Sequence, residues 1–164
     1  MEVLLHSFEF LLGYAAITLA YYFNHRFLFH KTAPRWLPKF IRKIHKKYAN
    51  LHILHHKHAW PEDGQVEQYI RVPVIGKVLL GLLALGVGYF SIFAASGVAT
   101  FYCVYGVRHG IIHGVSQIGI KPLDETSSHY RHHMLHHQNG NWHKFNFSGV
   151  HPWIDKIFGT YKES

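Results

Sequence analysis

The hydrophobic positions of the chain fall into two long stretches separated by polar, basic segments. The first stretch is residues 3–23, whose only charged or imidazole side chains are His6 and Glu9 near its start. At about 1.5 Å per residue, this stretch is long enough for a helix that crosses a bilayer. A signal peptide is the alternative, but Glu2 stands where such a peptide carries positive charge, and the apolar run is too long. We therefore predict a membrane-spanning helix.

The second apolar stretch, residues 72–107, has Lys77 as its only charged residue and is too long for one crossing. Two short helices joined by a turn between residues 86 and 96 fit its length, either as two spans or as a re-entrant hairpin. The predicted fold is therefore an all-α, integral-membrane helical bundle with about three to four apolar spans and a cytoplasmic helical cap. Because no repeat or linker divides the chain, residues 1–164 are expected to form a single membrane-embedded domain.

Three further helices are expected in the polar segments. Residues 37–51 place apolar side chains at helical spacing and basic side chains off that stripe, which indicates an amphipathic helix. Beside a membrane span we favour a helix lying on the membrane surface over a surface helix of a soluble domain. Asp124 is expected to cap a helix through the histidine-rich stretch, and Asn-Gly at 139–140 to end it. A turn is expected at residues 60–64 and a short helix at residues 152–159.

The basic residues are unevenly distributed along the chain. The sequence has 17 Lys and Arg against 9 Asp and Glu, a formal net charge of +8. Residues 1–23 contain no Lys or Arg, whereas residues 24–71 contain ten and residues 108–164 contain six. One span followed by a hairpin puts both basic segments on one side, which the positive-inside rule makes cytoplasmic. We expect a multi-pass protein with an external N-terminus and cytoplasmic histidine-rich segments.

Most of the histidines follow spacings that gather side chains on one face of a helix. Positions i, i+3 and i+4 share a face, so each HxxHH pattern presents three imidazoles together and each HxxxH pattern presents two. His25 and His30 would lie about 140° apart on a regular helix, and they converge only if the helix frays or widens to a π-type turn. The other patterns are HxxHH at 52–56, HxxxH at 109–113 and two overlapping HxxHH frames at 129–133 and 133–137.

These imidazoles indicate a metal centre. Cys103 is the only cysteine, so no disulfide framework and no CxxC motif exists, and the ligand atoms must be nitrogen or oxygen. Neutral imidazole binds Zn, Cu, Fe or Ni, and ten candidates exceed one tetrahedral site, so two ions with about five nitrogens each are expected. Proton carriage, pH sensing or a packing role, as assigned to His6 and His151, does not explain the repeated spacings. The candidate ligands are His25, His30, His52, His55, His56, His109, His113, His133, His136 and His137.

Further residues are candidates for holding the ligands in place. A ligating imidazole needs a hydrogen-bond partner for its other ring N–H. Asp124, Glu125 and Asp155 are candidate carboxylates, although a helix-capping or structural role for Asp155 is favoured slightly. The histidines that are candidates as ligands or as partners of ligands are His129, His132, His45, His58 and His143.

The order of the histidine patterns, HxxxxH, HxxHH, HxxxH and HxxHH, resembles that of the integral-membrane fatty acid hydroxylase and sterol desaturase superfamily. HRFLFH (25–30) resembles the first histidine box of the ceramide fatty acid 2-hydroxylases. The closing segment, NFSGVHPWIDKIFGTY (146–161), is similar to the closing segment of the superfamily. The resemblance covers most of residues 20–161.

Alignment on the closing segment also bears on the two overlapping frames. It favours residues 133–137 over residues 129–133 as the last metal-binding box. Two departures from the family pattern are visible: Ser148 stands where glycine is usual, and the gap from His137 to Asn146 is longer than expected.

The resemblance implies an O₂-dependent enzyme that hydroxylates or desaturates a fatty acyl, sterol or other long-chain lipid entering from the bilayer. It implies two iron ions per chain. Zinc can substitute for iron, because it binds such ligands more tightly. An all-nitrogen ligand set carries no charge to offset two dications, so the centre would stay electrophilic, as activation of O₂ requires. The rival functions are a membrane protein that binds or transports metal without oxidoreductase activity, and a bis-histidine haem carrier.

The resemblance also bears on the partners. Because the sequence carries no cytochrome b5 domain, electrons are expected from a separate donor, either cytochrome b5-like or ferredoxin-like. Nucleic acid is not an expected partner.

Overall fold

The computed structural model describes residues 2–58, 60, 74–115, 120–121, 123–138 and 140–163. Within these residues the fold is all helical, with no strand, which confirms the predicted all-α class. The predicted turn at 60–64, apart from Trp60, and the predicted stop residue Asn139 lie outside the described residues. The helices are α1 (Glu2–Phe23), a π-helical segment (Asn24–Phe29), α2 (Lys39–His58), α3 (Val74–Phe90), α4 (Ile92–Ile112), α5 (Ser128–His137) and α6 (Pro152–Ile157).

Helices α1 and α4 form the central pair and run in the same direction. Near the start of both helices, Ser91 donates a hydrogen bond to Glu9 Oε2 at 3.0 Å. Toward their C-terminal ends, the rings of Tyr21 and Tyr105 lie 4.7 Å apart. The C-terminal ends of α1 and α4, and the histidines found there, therefore lie side by side.

Two glycines bring the backbones of α1 and α4 into direct contact. A Cβ atom at Gly97 would lie 2.2 Å from the carbonyl oxygen of Phe10, and one at Gly13 would lie 2.1 Å from that of Ala94. Small residues that allow such close approach are typical of helix pairs in membranes, where packing rather than the hydrophobic effect holds helices together. The core beside this contact contains Ile17, Val98, Phe101 and Val150.

The second apolar stretch folds as the predicted pair of helices. The helical structure is interrupted at Ser91, inside the range 86–96 that was expected for the turn. Ser91 Oγ caps α4 by accepting a hydrogen bond from the backbone N–H of Ala94 at 3.1 Å. Among the described residues, one helix, Glu2–Phe29, is long and apolar enough to cross a membrane, and Lys77–Phe90 is a shorter apolar helix. The additional spans stay a prediction.

The predicted helices of the polar segments are present, with one correction. α2 covers the expected amphipathic stretch, with Phe40 and Ile44 exposed. Asp124 does not cap α5, which begins at Ser128. Its Oδ1 instead accepts from the backbone N–H of Thr126 at 2.9 Å, because this short turn captures the carboxylate before the helix starts.

Candidate metal centre

The end of α1 widens into a π-helix, and this brings His25 and His30 together. A π-turn bonds residue i to residue i+5, so side chains five positions apart point the same way. The Nε2 atoms of both histidines lie 3.0 Å from Nε2 of His52 on α2. The condition stated for this pair, a π-type widening at the end of the first helix, is confirmed.

A first histidine group gathers around this pair. The ligand atoms of its five members all lie within 4.8 Å of one another. Adjacent Nε2 atoms are separated by 3.0–3.2 Å, with His136 placed between His25 and His30. Helix α1 with its π-helical extension, α2 and α5 each supply members. The first histidine group is His25, His30, His52, His56 and His136.

A second histidine group lies beside the first. Its four ligand atoms are also within 4.8 Å of one another and come from α2, α5 and the C-terminal end of α4. Nε2 of His137 is 3.1 Å from Nε2 of His133, which places His137 next to the group although not inside it by the same distance limit. Nine of the ten candidate ligands are thus assembled and the tenth is adjacent. The second histidine group is His55, His109, His113 and His133.

The hydrogen bonds made by Nδ1 of His25 and of His136 indicate that the first histidine group suits a cation. Nδ1 of His25 donates to the carbonyl oxygen of Phe147 at 2.5 Å, and Nδ1 of His136 donates to that of Phe145 at 2.7 Å. Because a carbonyl can only accept, both neutral rings carry their proton on Nδ1 and present a bare lone pair at Nε2. These two Nε2 atoms are 3.1 Å apart, so two lone pairs face each other with no proton between them.

The spacing of the nitrogens agrees with a shared ion. Two nitrogens that each lie about 2.1 Å from one ion, at a right angle, are about 3.0 Å apart. The spacing of 3.0–3.2 Å between Nε2 neighbours matches this value. The donor set is imidazole alone, which suits zinc, copper, iron or nickel rather than magnesium or calcium.

Burial keeps the imidazoles neutral, as metal ligation requires. Burial, followed by the repulsion of nearby His25 and His143, lowers the pKa of His30 to about 2. Burial is also the first cause that holds the pKa of His136 and of His137 well below the usual value, ahead of neighbouring histidines. The same holds for His52, His55 and His133.

The closing segment supplies the groups that orient the first histidine group. Its backbone turns through Asn146, which adopts a positive φ of 57° that asparagine tolerates better than most residues. The Asn146 side chain donates to the carbonyl oxygen of His132 at 3.1 Å, which ties the loop to α5. That the carbonyls of Phe145 and Phe147 accept from candidate ligands could not be predicted from the sequence, since every residue carries a carbonyl.

Of the three candidate carboxylates, only Asp155 is buried. Burial raises the pKa of Asp155, but hydrogen bonds from His132, Ser148 and Thr160 outweigh it and leave the pKa below its usual value. Asp155 therefore carries negative charge beside α5. Asp124 and Glu125 are exposed in their own turn, and the structure does not bring them to the ligands.

The remaining candidate histidines lie outside both groups. His132 is buried and its Nε2 lies 3.2 Å from Asp155 Oδ2. His129 is only half-buried at the start of α5, so of the two overlapping frames the structure gathers 133–137. His143 is exposed and stacks on Trp142. His45 and His58 are on α2, and His151 accepts or donates a hydrogen bond of 2.8 Å with the Tyr14 hydroxyl.

A cavity of about 250 Å³ opens beside the two histidine groups. It is bounded by His56 of the first group and by His137. The ring centroid of Trp142 lies 5.0 Å from that of His56 and forms one wall. Small molecules in this cavity would contact side chains next to both groups. The other lining residues are Lys57 and Trp60.

The comparison with protein families identifies the class. The family model described as Fatty acid hydroxylase matches residues 10–160, which includes both histidine groups and the closing segment. The chain belongs to the fatty acid hydroxylase family. Membership makes it a membrane-associated oxidoreductase, and its histidine groups are compatible with a metal site. No curated protein and no solved structure gives a significant match to the chain.

Proposed function

We propose that this protein is a membrane-bound oxygenase that uses two histidine-held iron ions and O₂ to hydroxylate or desaturate a C–H bond of a long-chain lipid. The observation that carries the proposal is the pair of neighbouring histidine groups, whose ring nitrogens converge. Within the first group, the lone pairs on Nε2 of His25 and of His136 face each other with no proton between them. Family membership supplies the lipid-modifying chemistry.

Two ions are proposed because each group is large enough for one. The first group offers five nitrogens and the second offers four, with His137 adjacent to it. When bound, iron supplies the reactivity toward O₂ that no side chain has. Zinc stands above iron in the order of affinity for such ligands, so zinc can replace iron during purification.

The chain's own residues hold and shield the centre. The carbonyls of Phe145 and Phe147 fix the ring orientation of His136 and His25, so that Nε2 of each faces the first group. Trp142 and Trp60 border the cavity of about 250 Å³ beside His56 and His137. The lipid itself would approach from the bilayer, along the exposed apolar surfaces of α1 and α3.

The proposed arrangement is multi-pass, with α1, α3 and α4 in the membrane and the histidine groups on the cytoplasmic side. The parallel direction of α1 and α4, with α3 between them in sequence, suits an up-down-up topology. The absence of Lys and Arg from residues 1–23 supports an external N-terminus. Electrons would come from a separate cytochrome b5-like or ferredoxin-like protein.

The test compares the lipids of cells that express the wild-type chain with cells that express His136→Ala. Mass spectrometry should find a lipid that has gained one oxygen atom or lost two hydrogen atoms only in the wild-type cells. The purified wild-type protein should hold two metal ions per chain. Two bound ions with no altered lipid, with iron, O₂ and a reductant supplied, would instead support a metal-binding or transport protein.

A further inference from the structure

The side chain of Asp155 is completely buried and saturated with hydrogen bonds. Its Oδ1 accepts from the backbone N–H of Phe147 at 2.8 Å and from Thr160 Oγ1 at 2.7 Å. Its Oδ2 accepts from the backbone N–H of Ser148 at 3.0 Å, from the Ser148 hydroxyl, and lies 3.2 Å from Nε2 of His132. These bonds join α6, α5 and the closing segment at one point.

The hydrogen bond to Phe147 connects Asp155 to the candidate ligand His25 through the backbone of one residue. The N–H of Phe147 donates to Asp155, and the carbonyl of the same residue accepts from Nδ1 of His25. Two residues earlier, the carbonyl of Phe145 accepts from Nδ1 of His136. Any shift of this loop would therefore turn both imidazoles.

Among the described residues, the hydrogen bonds of the second histidine group run between its own imidazoles and to His137, and none joins it to the carbonyls of Phe145 or Phe147. Nδ1 of His55 is buried and has no hydrogen-bond partner among the described residues, and the same is true of the adjacent His137. The members of the second group come from α2, α4 and α5, and the loop's two carbonyl contacts are both made to the first group. The effect of Asp155 should be confined to one of the two sites.

The side chain of Ser148 adds a contact that a glycine could not make. A glycine at this position, the usual residue in the closing segment that this chain resembles, could offer only its backbone N–H. Here the side-chain hydroxyl adds a second donor to the same carboxylate oxygen, and Ser148 is buried. Substitution of Ser148 by alanine would therefore remove the hydroxyl hydrogen bond and leave the backbone hydrogen bonds from Phe147 and Ser148 to Asp155 in place.

We infer that Asp155, assisted by the hydroxyl of Ser148, is a positioning residue that holds His25 and His136 in place for the metal of the first histidine group and not for that of the second. The inference rests on the proposed function in that both groups must bind metal. Asp155 acts through the loop and contacts no member of either histidine group; the histidine that it contacts, His132, lies outside both groups.

The experiment measures binding of Co²⁺ to the purified apo-protein in detergent, using its visible absorption to follow the two sites separately. His25→Ala and His55→Ala identify which absorption belongs to the first and to the second group. The test variants are Ser148→Ala and Asp155→Asn. The matched control is Ser96→Ala, which removes an exposed hydroxyl that bonds only within α4.

Ser148→Ala should weaken Co²⁺ binding at the first group by about 10-fold to 100-fold, the range seen when a residue that orients a ligand is lost, and leave the second group unchanged. Asp155→Asn should weaken it further at the same site. Ser96→Ala should match the wild type. Thermal unfolding of each apo-protein separates this effect from general destabilisation.

Equal weakening at both sites, or no change at either in folded Ser148→Ala and Asp155→Asn, would overturn the inference. Failure of the wild-type protein to bind two Co²⁺ ions would be a different result, because it would overturn the proposed function on which the inference rests. If Asp155→Asn does not fold, Ser148→Ala alone decides the matter.

Discussion

The contact between α1 and α4 at Gly97 leads to a quantitative prediction for Gly97→Ala. The added methyl carbon would lie 2.2 Å from the carbonyl oxygen of Phe10. Non-bonded contacts of this kind settle near 3.5 Å, so the two backbones would have to separate by about 1 Å. Backbone atoms cannot rotate away as a flexible side chain can.

The expected cost follows from two opposing effects. Forcing an extra methyl group into a packed contact costs about 1–3 kcal/mol. Replacing a glycine within a helix by alanine stabilises the folded state by about 0.5–1 kcal/mol. Because the contact is between backbone atoms, the upper part of the first range, about 2–3 kcal/mol, applies, and Gly97→Ala should lose about 1–2.5 kcal/mol of unfolding free energy. Co²⁺ or Zn²⁺ binding should also weaken, because His25 directly follows α1 and His109 lies on α4.

Gly106→Ala is the matched control in the same helix. A Cβ at Gly106 would have nothing within 4 Å, so only the helical gain remains, and this variant should be more stable than wild type by about 0.5–1 kcal/mol. Both variants can be compared by reversible unfolding in mixed micelles, with metal content measured on the same samples. Unchanged or increased stability of Gly97→Ala, or an equal loss in Gly106→Ala, would refute the packing argument.

Three further predictions follow from the site and the charge pattern. His136→Ala should lose the metal of the first group and all activity, whereas His132→Ala should keep both metals and part of the activity. Elemental analysis and product assays of both variants test this prediction, and the reverse outcome would contradict it. The folded-state pKa of Asp155 is lowered, so its contribution to stability is present above the unfolded pKa of about 4 and disappears as pH falls through the folded value. Acid titration of the unfolding free energy should show this loss in wild type and not in Asp155→Asn; identical curves would contradict it. A reporter fused after Ser164 should read as cytoplasmic, and an external reading would contradict the topology.

The spacing of the histidines could be interpreted from sequence because helix geometry is local. His52, His55 and His56 lie on one helical turn, and their side chains diverge just enough for His55 to join the second group while the others join the first. From the sequence, a π-helical widening could be named as one way for His25 and His30 to converge. Whether it forms depends on packing around these residues, which no local sequence pattern indicates.

Other parts of the site could not be predicted. The carbonyls of Phe145 and Phe147 became hydrogen-bond acceptors for ligands only through the fold of the loop, and a carbonyl has no sequence signature. Asp124 failed as a helix cap because capping and turn formation use the same side-chain oxygen, and the turn with Thr126 formed instead. For Asp155, the sequence allowed a helix-capping or structural role, which was slightly favoured, and a role as the partner of a ligand. In the structure Asp155 is buried, bonds to Phe147, Ser148 and Thr160, and contacts no member of either histidine group, which agrees with the structural role.

The positions of His25 and His109 bear on how a water-insoluble substrate reaches the metals. Both residues lie at the C-terminal ends of apolar helices, one directly after α1 and the other in the last turn of α4. Moving an alkyl chain from hydrocarbon into water costs about 0.8 kcal/mol for each methylene, or about 8 kcal/mol for ten of them. In the proposed arrangement the metal centre lies close to the membrane surface, so only the reacting part of the lipid would have to leave the bilayer. The remaining methylenes would stay in hydrocarbon, and the free-energy cost of extraction that a centre far from the membrane would impose would largely be avoided.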